Sequence, residues 1–178
     1  MSDETVAPSA EGTSLDAPTE GPERNDRVFL CVVDSTAECK NAIYFAARRT
    51  IHAAGRLALL YIMEPAEFQH WMAVEEKMRE EAREEAEDFL QDYASLVKEW
   101  TGEMPTLYVR EGKPAETIID LIAEEPRISI LVLGAGTDKK KGPGPLVSAI
   151  AGKMSGAFPI PITIVPGGLT LEQIDVLA

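Results

Sequence analysis

Apolar side chains follow two rhythms along this chain, and the alternation between them predicts the architecture. Val28-Phe29-Leu30-Cys31-Val32-Val33 and Leu57-Ala58-Leu59-Leu60-Tyr61-Ile62-Met63 are unbroken apolar runs, the pattern of strands buried on both faces. Between them Ala37, Ile43, Phe45, Ala46 and Ala47 fit a helix, with Ser35 or Thr36 placed to cap its start and Gly55 to close it. Strand, helix and strand in quick succession make a βαβ unit, hence parallel pairing through a right-handed crossover.

The alternation continues to the end of the chain. A long helix is expected over 66–100, where Phe68, Trp71, Met72, Met78, Ala82, Ala86, Phe89, Leu90, Tyr93, Leu96, Val97 and Trp100 recur three or four apart. Its other face is rich in Glu, with Glu75–Arg79 and Arg83–Glu87 as i,i+4 pairs, and its first turns are expected to project beyond the sheet. Thr106–Val109 reads as a third strand. Gly112 and Pro114 then turn the chain into a helix holding Ile118, Ile119, Leu121 and Ile122. Ile128–Leu133 is a fourth strand, 146–156 a further helix, and Ile162–Val165 a fifth strand. Five strands alternating with four helices predict a doubly wound α/β domain over 27–166, its helices on both faces of a parallel sheet.

The flanks read differently. Residues 1–26 are rich in Ser, Thr, Pro, Gly and acid, and such a stretch buries too little apolar surface to offset its ordering entropy, so it is expected to be a disordered acidic tail. Residues 167–178 are weakly amphipathic and have no evident place in the alternation, so they are expected to be a C-terminal tail. The formal net charge of −13 argues against nucleic acid as a partner, since a DNA or RNA binder needs a basic face. No apolar run reaches the roughly 18 residues of a membrane span. The opening residues lack the basic start and apolar block of a secretory leader, so the cytoplasm is the expected compartment. Cys31 and Cys39 read as reduced, inert thiols.

Candidate chemistry gathers at two strand ends. In an open parallel sheet, ligands sit beyond the carboxyl ends of the strands, at the point where strand order reverses. Asp34 ends the first strand and Gly134 the fourth. The segment from Gly134 to Gly144 carries Gly136, Thr137, Lys139, Lys140 and Lys141 ahead of a helix start, and flexible backbone, ammonium groups and a helix N-terminus together suit a phosphate. No catalytic or metal site is expected. Ser35 and Ser148 have no evident His partner, His52 and His70 lack metal-ligand spacing, and no P-loop or dinucleotide fingerprint occurs.

Four segments, taken together, resemble the universal stress protein family over residues 28–166. They are VFLCVVDST at 28–36 with Asp34 at the strand end, REGKPAETII at 110–119, LVLGAG at 131–136, and SAIAGKMSGAFPIPITIV at 148–165 with Pro159 and Pro161. The resemblance implies an adenine nucleotide alpha hydrolase-like fold with strand order 3-2-1-4-5, which would make the first and fourth strands neighbours. It also implies dimerisation through the last strand, at Ile162, Ile164 and Val165, and in some members ATP or AMP binding. Nucleotide-binding members carry Gly, two residues, Gly, nine residues, then Gly with Ser or Thr. Here Gly134 is retained, Thr137 stands at the second glycine with Gly136 one residue short of it, and Ser148-Ala149 stands at the closing pair, one residue late. Side chains at such positions crowd a phosphate or strain the backbone.

Three readings follow. The first is a dimeric, non-enzymatic stress-response protein with an eroded nucleotide loop, binding ATP or AMP weakly. The second is a true ATP or AMP switch with slow hydrolysis, Asp34 contacting the nucleoside and the 134–149 loop holding the phosphates, with Ser35 a further candidate for nucleotide binding. The third is a module that binds a protein partner through the long acidic helix.

Overall fold

A computed structural model of the chain describes residues 26–65, 72–152, 154 and 156–178, with the side chains of 72–75 excepted. The strands are β1 (Val28–Val33), β2 (Arg56–Met63), β3 (Thr106–Glu111), β4 (Ile128–Ala135) and β5 (Ile162–Pro166). All pair in parallel in the order β3-β2-β1-β4-β5, as the resemblance implied. The helices are α1 (Cys39–Ala53), α2 (Met72–Thr101), α3 (Pro114–Glu124), α4 (Pro145–Ala151) and α5 (Leu171–Leu177).

Alternation along the strands divides the core in two. Phe29, Cys31 and Val33 of β1, Leu57 and Leu59 of β2, Val132 and Val165 meet α1 and α2 on one face. Leu30, Ala58, Leu60, Leu131 and Leu133 meet Ile118, Leu121 and Ile122 of α3 and Val147 and Ile150 of α4 on the other. The unbroken apolar runs are thus explained, since both faces of the central strands are covered. A register shift beside Val28 and Phe29 pairs Phe29 with Ile130 rather than Ser129.

Several boundaries differ from the sequence reading. Neither Ser35 nor Thr36 caps α1. The Thr36 N–H and hydroxyl both donate to Asp34 Oδ1, closing a tight turn, and the helix begins after Glu38 without a side-chain cap. At its other end the left-handed residue is Ala54, at φ 49° and ψ 40°, while Gly55 N–H donates to Thr50 O. Gly55 serves a different purpose, because a Cβ there would sit 3.0 Å from both Arg27 O and the Phe29 ring. Strand β4 runs two residues further than expected and takes in Gly134, while α4 stops at Ala151 rather than 156.

The expected stripe on α2 is only half used. Phe68, His70 and Trp71 lie outside the described residues. Residues 76–85 are exposed, Met78 and Ala82 among them. Burial starts at Ala86 and continues through Leu90, Ala94 and Val97, so the part of α2 over 76–85 is solvated, while most of the turns expected to project lie outside the described residues. Arg83 pairs with Glu87 at 2.9 Å, and Arg79 reaches Glu111 on β3 at 3.3 Å.

Residues 167–178 are the fifth helix and its approach. Thr170 and Gln173 form a reciprocal capping box, and Ile174 is fully buried against the α1 side of the molecule. Tyr44 on α1 donates to Asp175 at 2.8 Å, and Arg48 lies 2.9 Å from the same carboxylate oxygen.

Ala54 is exposed and holds a conformation that costs an L-residue roughly 1–2 kcal/mol. Ala54→Gly removes that cost at the expense of a more flexible unfolded chain, so a net gain of about 0.5–1 kcal/mol is expected. Thermal unfolding should show a midpoint about 1–4 °C higher.

Candidate functional site

The strand order reverses between β1 and β4, and the chain leaves their carboxyl ends toward opposite faces of the sheet, to α1 and to α4. A crevice of about 180 Å³ opens there. Its walls are Val33, Asp34, Thr36 and Glu38 from the β1–α1 connection, Ile62 and Glu64 from the end of β2, Pro114, Leu133 and Gly134, and the turn from Pro143 to Val147. A larger hollow of about 730 Å³ lies at the opposite end of the sheet, between the last turns of α1 and α2. Arg56 and Glu103 are the only charged groups among its described lining residues, and it faces the amino ends of the strands, so the smaller crevice is the better candidate.

The start of α1 is pressed onto the exit of β4 and β5. A Cβ on Gly134 would lie 3.1 Å from Glu38 O, and one on Gly167 only 2.6 Å from Glu38 Cβ. A Cβ on Gly136 would meet Glu38 Oε1 at 2.9 Å and Gly142 O at 3.0 Å. Asn41, one turn into α1, donates its side-chain amide to Gly167 O and Leu169 O at 3.0 and 2.8 Å. The retained glycine of the motif therefore has a packing role of its own, independent of any ligand.

The connection from Gly136 to Pro145 spends three of its amides within itself. Gly136 N–H donates to Pro143 O at 3.3 Å, Lys140 N–H to Asp138 Oδ1 at 2.8 Å, and Gly142 N–H to Asp138 O at 2.8 Å. Pro143 and Pro145 have no N–H to offer. Gly142 and Gly144 take φ of 72° and 102°, which the turn into α4 requires.

Electrostatics run the same way. Asp34, Glu38 and Glu64 line the crevice, and among its described lining residues there is no Lys, Arg or His. Lys139, Lys140 and Lys141 are exposed and absent from its walls.

Of the residues expected from sequence, the structure brings Asp34 and Gly134 together, with Gly136 beside them against Glu38. Ser35 lines a neighbouring groove with Tyr61, Glu64 and Phe89 instead. Thr137 is exposed. Ser148 and Ala149 are also exposed, one turn into α4 and outside the crevice, so the pair does not face it. The residue that opens α4 at the crevice wall is Gly144. Gly-Pro-Gly-Pro at 142–145, with Pro at the first helical position, is the signal that could have found it. Glu38 and Glu64 have no comparable signal.

Neither cysteine is poised for chemistry. Burial pushes the Cys31 thiol well above its ordinary range and raises Cys39 to about 12; Cys39 Sγ accepts from Asp34 N–H at 3.4 Å. Among the described residues no cluster of His, Cys, Asp and Glu could hold a metal ion, and no helix is long and apolar enough to cross a membrane.

The description of the universal stress protein family matches residues 27–166. The chain belongs to that family. A solved structure with this fold is the universal stress protein UspA from Lactobacillus plantarum, 20% identical at a TM-score of 0.66, with 79% of this chain and 98% of that one covered. A second is the universal stress protein from Archaeoglobus fulgidus in complex with dAMP, 14% identical at a TM-score of 0.54, covering 78% and 95%. A third, a universal stress protein in complex with cAMP, is 12% identical at 0.55, covering 80% and 98%. At these identities the likeness establishes the fold alone. A comparison with curated proteins finds no matching relative.

Two neighbouring glycines make a graded test. Gly167→Ala should cost about 1–3 kcal/mol, because its Cβ meets the start of a helix rather than a flexible side-chain tip. Gly168→Ala, whose Cβ would have only Thr137 Cγ2 at 3.4 Å, should stay within about 0.5 kcal/mol. Urea unfolding of both variants measures the difference.

Proposed function

We propose that this universal stress protein is a cytoplasmic, homodimeric, non-enzymatic member of the family that acts through protein contacts and whose nucleotide site is eroded. The observation that carries the reading is the chemistry of the crevice: three carboxylates on its walls, no cation among its described lining residues, and three amides of the adjoining loop bonded within the loop. A triphosphate needs free donors and positive charge close to its oxygens. The three exposed lysines supply only a diffuse attraction, which salt screens.

ATP binding is therefore expected at about 0.1–1 mM at low salt, weaker as salt rises, with little preference for adenine over guanine. Calorimetry with ATP and GTP at two salt concentrations measures it. Micromolar, adenine-selective binding that persists in salt would replace this reading with an ATP or AMP switch, which the dAMP and cAMP complexes of two structural relatives favour.

The dimer rests on β5. It pairs only with β4, leaving an edge of unpaired backbone groups, and Ile164 is 40% exposed on it with Ile162 partly exposed on the same face. Val165 is turned inward, 2% exposed in the core beneath α1, so it supplies backbone rather than side chain to such a contact. Light scattering should give twice the chain mass at micromolar concentrations, and Ile164→Lys should return it to the monomer with its fold intact. A wild-type monomer under those conditions removes the dimer from the proposal. The exposed stretch of α2 over 76–85 supports a surface for a protein partner, tested by whether charge reversal there abolishes capture of that partner.

A further inference from the structure

We propose that Glu38 is the specificity-determining residue of the crevice, an internal anion that excludes phosphate and leaves room for an uncharged nucleoside. The inference rests on the reading of the crevice as an eroded nucleotide site and names the group that closes it.

A glycine in a phosphate-binding loop is useful because the missing Cβ lets a ligand oxygen come close to the backbone. At Gly136 that space is already taken. The atom nearest a would-be Cβ is Glu38 Oε1, at 2.9 Å. A carboxylate oxygen of this chain thus stands where a phosphate oxygen would approach.

The position is not one the side chain can easily leave as a whole. The Glu38 backbone is held against Gly134, and its Cβ against Gly167, by the close packing of α1 on β4 and β5. Only the carboxylate end is free to swing, and it starts half-buried at the wall of the crevice. The other two acids differ. Asp34 spends an oxygen on the Thr36 N–H and hydroxyl, and Glu64 follows β2, on the far wall from Gly136. The geometry therefore makes Glu38 the acid whose charge a phosphate would meet first.

The test compares AMP with adenosine, which differ by the phosphate. Binding of each is measured by calorimetry to the full chain and to Glu38→Gln, Glu38→Ala and Glu64→Gln, at moderate salt. Glu38→Gln keeps the size of the side chain and removes its charge; Glu38→Ala guards against a residual steric block, and circular dichroism checks that each variant is folded. Glu38→Gln is expected to tighten AMP at least tenfold while adenosine changes less than about twofold, and Glu64→Gln to tighten AMP less than about threefold.

Four results would overturn the proposal. If wild type binds AMP weakly and both Glu38 variants bind it as weakly, Glu38 is not the barrier, and the eroded-site reading stands. If AMP and adenosine tighten together, the residue acts through packing. If Glu64→Gln gains as much as Glu38→Gln, the barrier is the general acidic field. If wild type already binds AMP at micromolar concentration, the eroded-site reading fails as well.

Discussion

The close approach of α1 to the carboxyl ends of β4 and β5 is the constraint on which the functional end of this molecule depends. The backbone and Cβ of Glu38 lie within 3.1 Å of where a side chain at Gly134 or Gly167 would begin. Glycine at those places lets the helix settle directly on the strand exits, and Asn41 fastens the turn after β5 by two carbonyl contacts. Pulling the helix in narrows the crevice between β1 and β4 to about 180 Å³. It also brings a carboxylate to Gly136. Shape and charge at the site share one cause.

That cause separates ancestry of fold from chemistry of site. The sheet order and crossover connections are those of the fold that universal stress proteins share, and a crevice at the reversal point follows from that order. What an anion meets at this crevice depends on features that topology does not set: which amides are free, and which side chains stand nearby. Here Asp138 gathers two amides of the connection, Pro143 accepts a third, and the lysines are exposed and absent from the walls. A scaffold can keep its cleft while the polar groups within it are rearranged.

The additions to the sheet follow ordinary packing. Helix α5 is held on α1 by Ile174 and by Asp175, which takes the Tyr44 hydroxyl and faces Arg48. Helix α2 buries Ala86, Leu90, Ala94 and Val97, and its residues 76–85 are solvated. Both lie on the α1 face, which leaves the exposed side of β5 on the other face, beside Ile162 and Ile164.

The sequence by itself determined the strands, their alternation with helices and the face each core residue takes, because those follow from local periodicity: Phe29, Cys31 and Val33 point one way and Leu30 the other wherever the strand is placed. It also marked Asp34 and Gly134, since both are strand-end residues. Tertiary structure decided the rest. Whether Gly134 serves a phosphate or the backbone of Glu38 depends on a contact between residues 96 positions apart in number, which no local pattern carries. Whether Met78 joins the core depends on where the sheet ends. Ala54 takes the left-handed turn expected of Gly55 because Gly55 is needed bare against Phe29. The last residues were illegible for the same reason: Leu171–Leu177 is too short to fold on its own periodicity, and becomes a helix by capping at Thr170 and burial of Ile174 against α1.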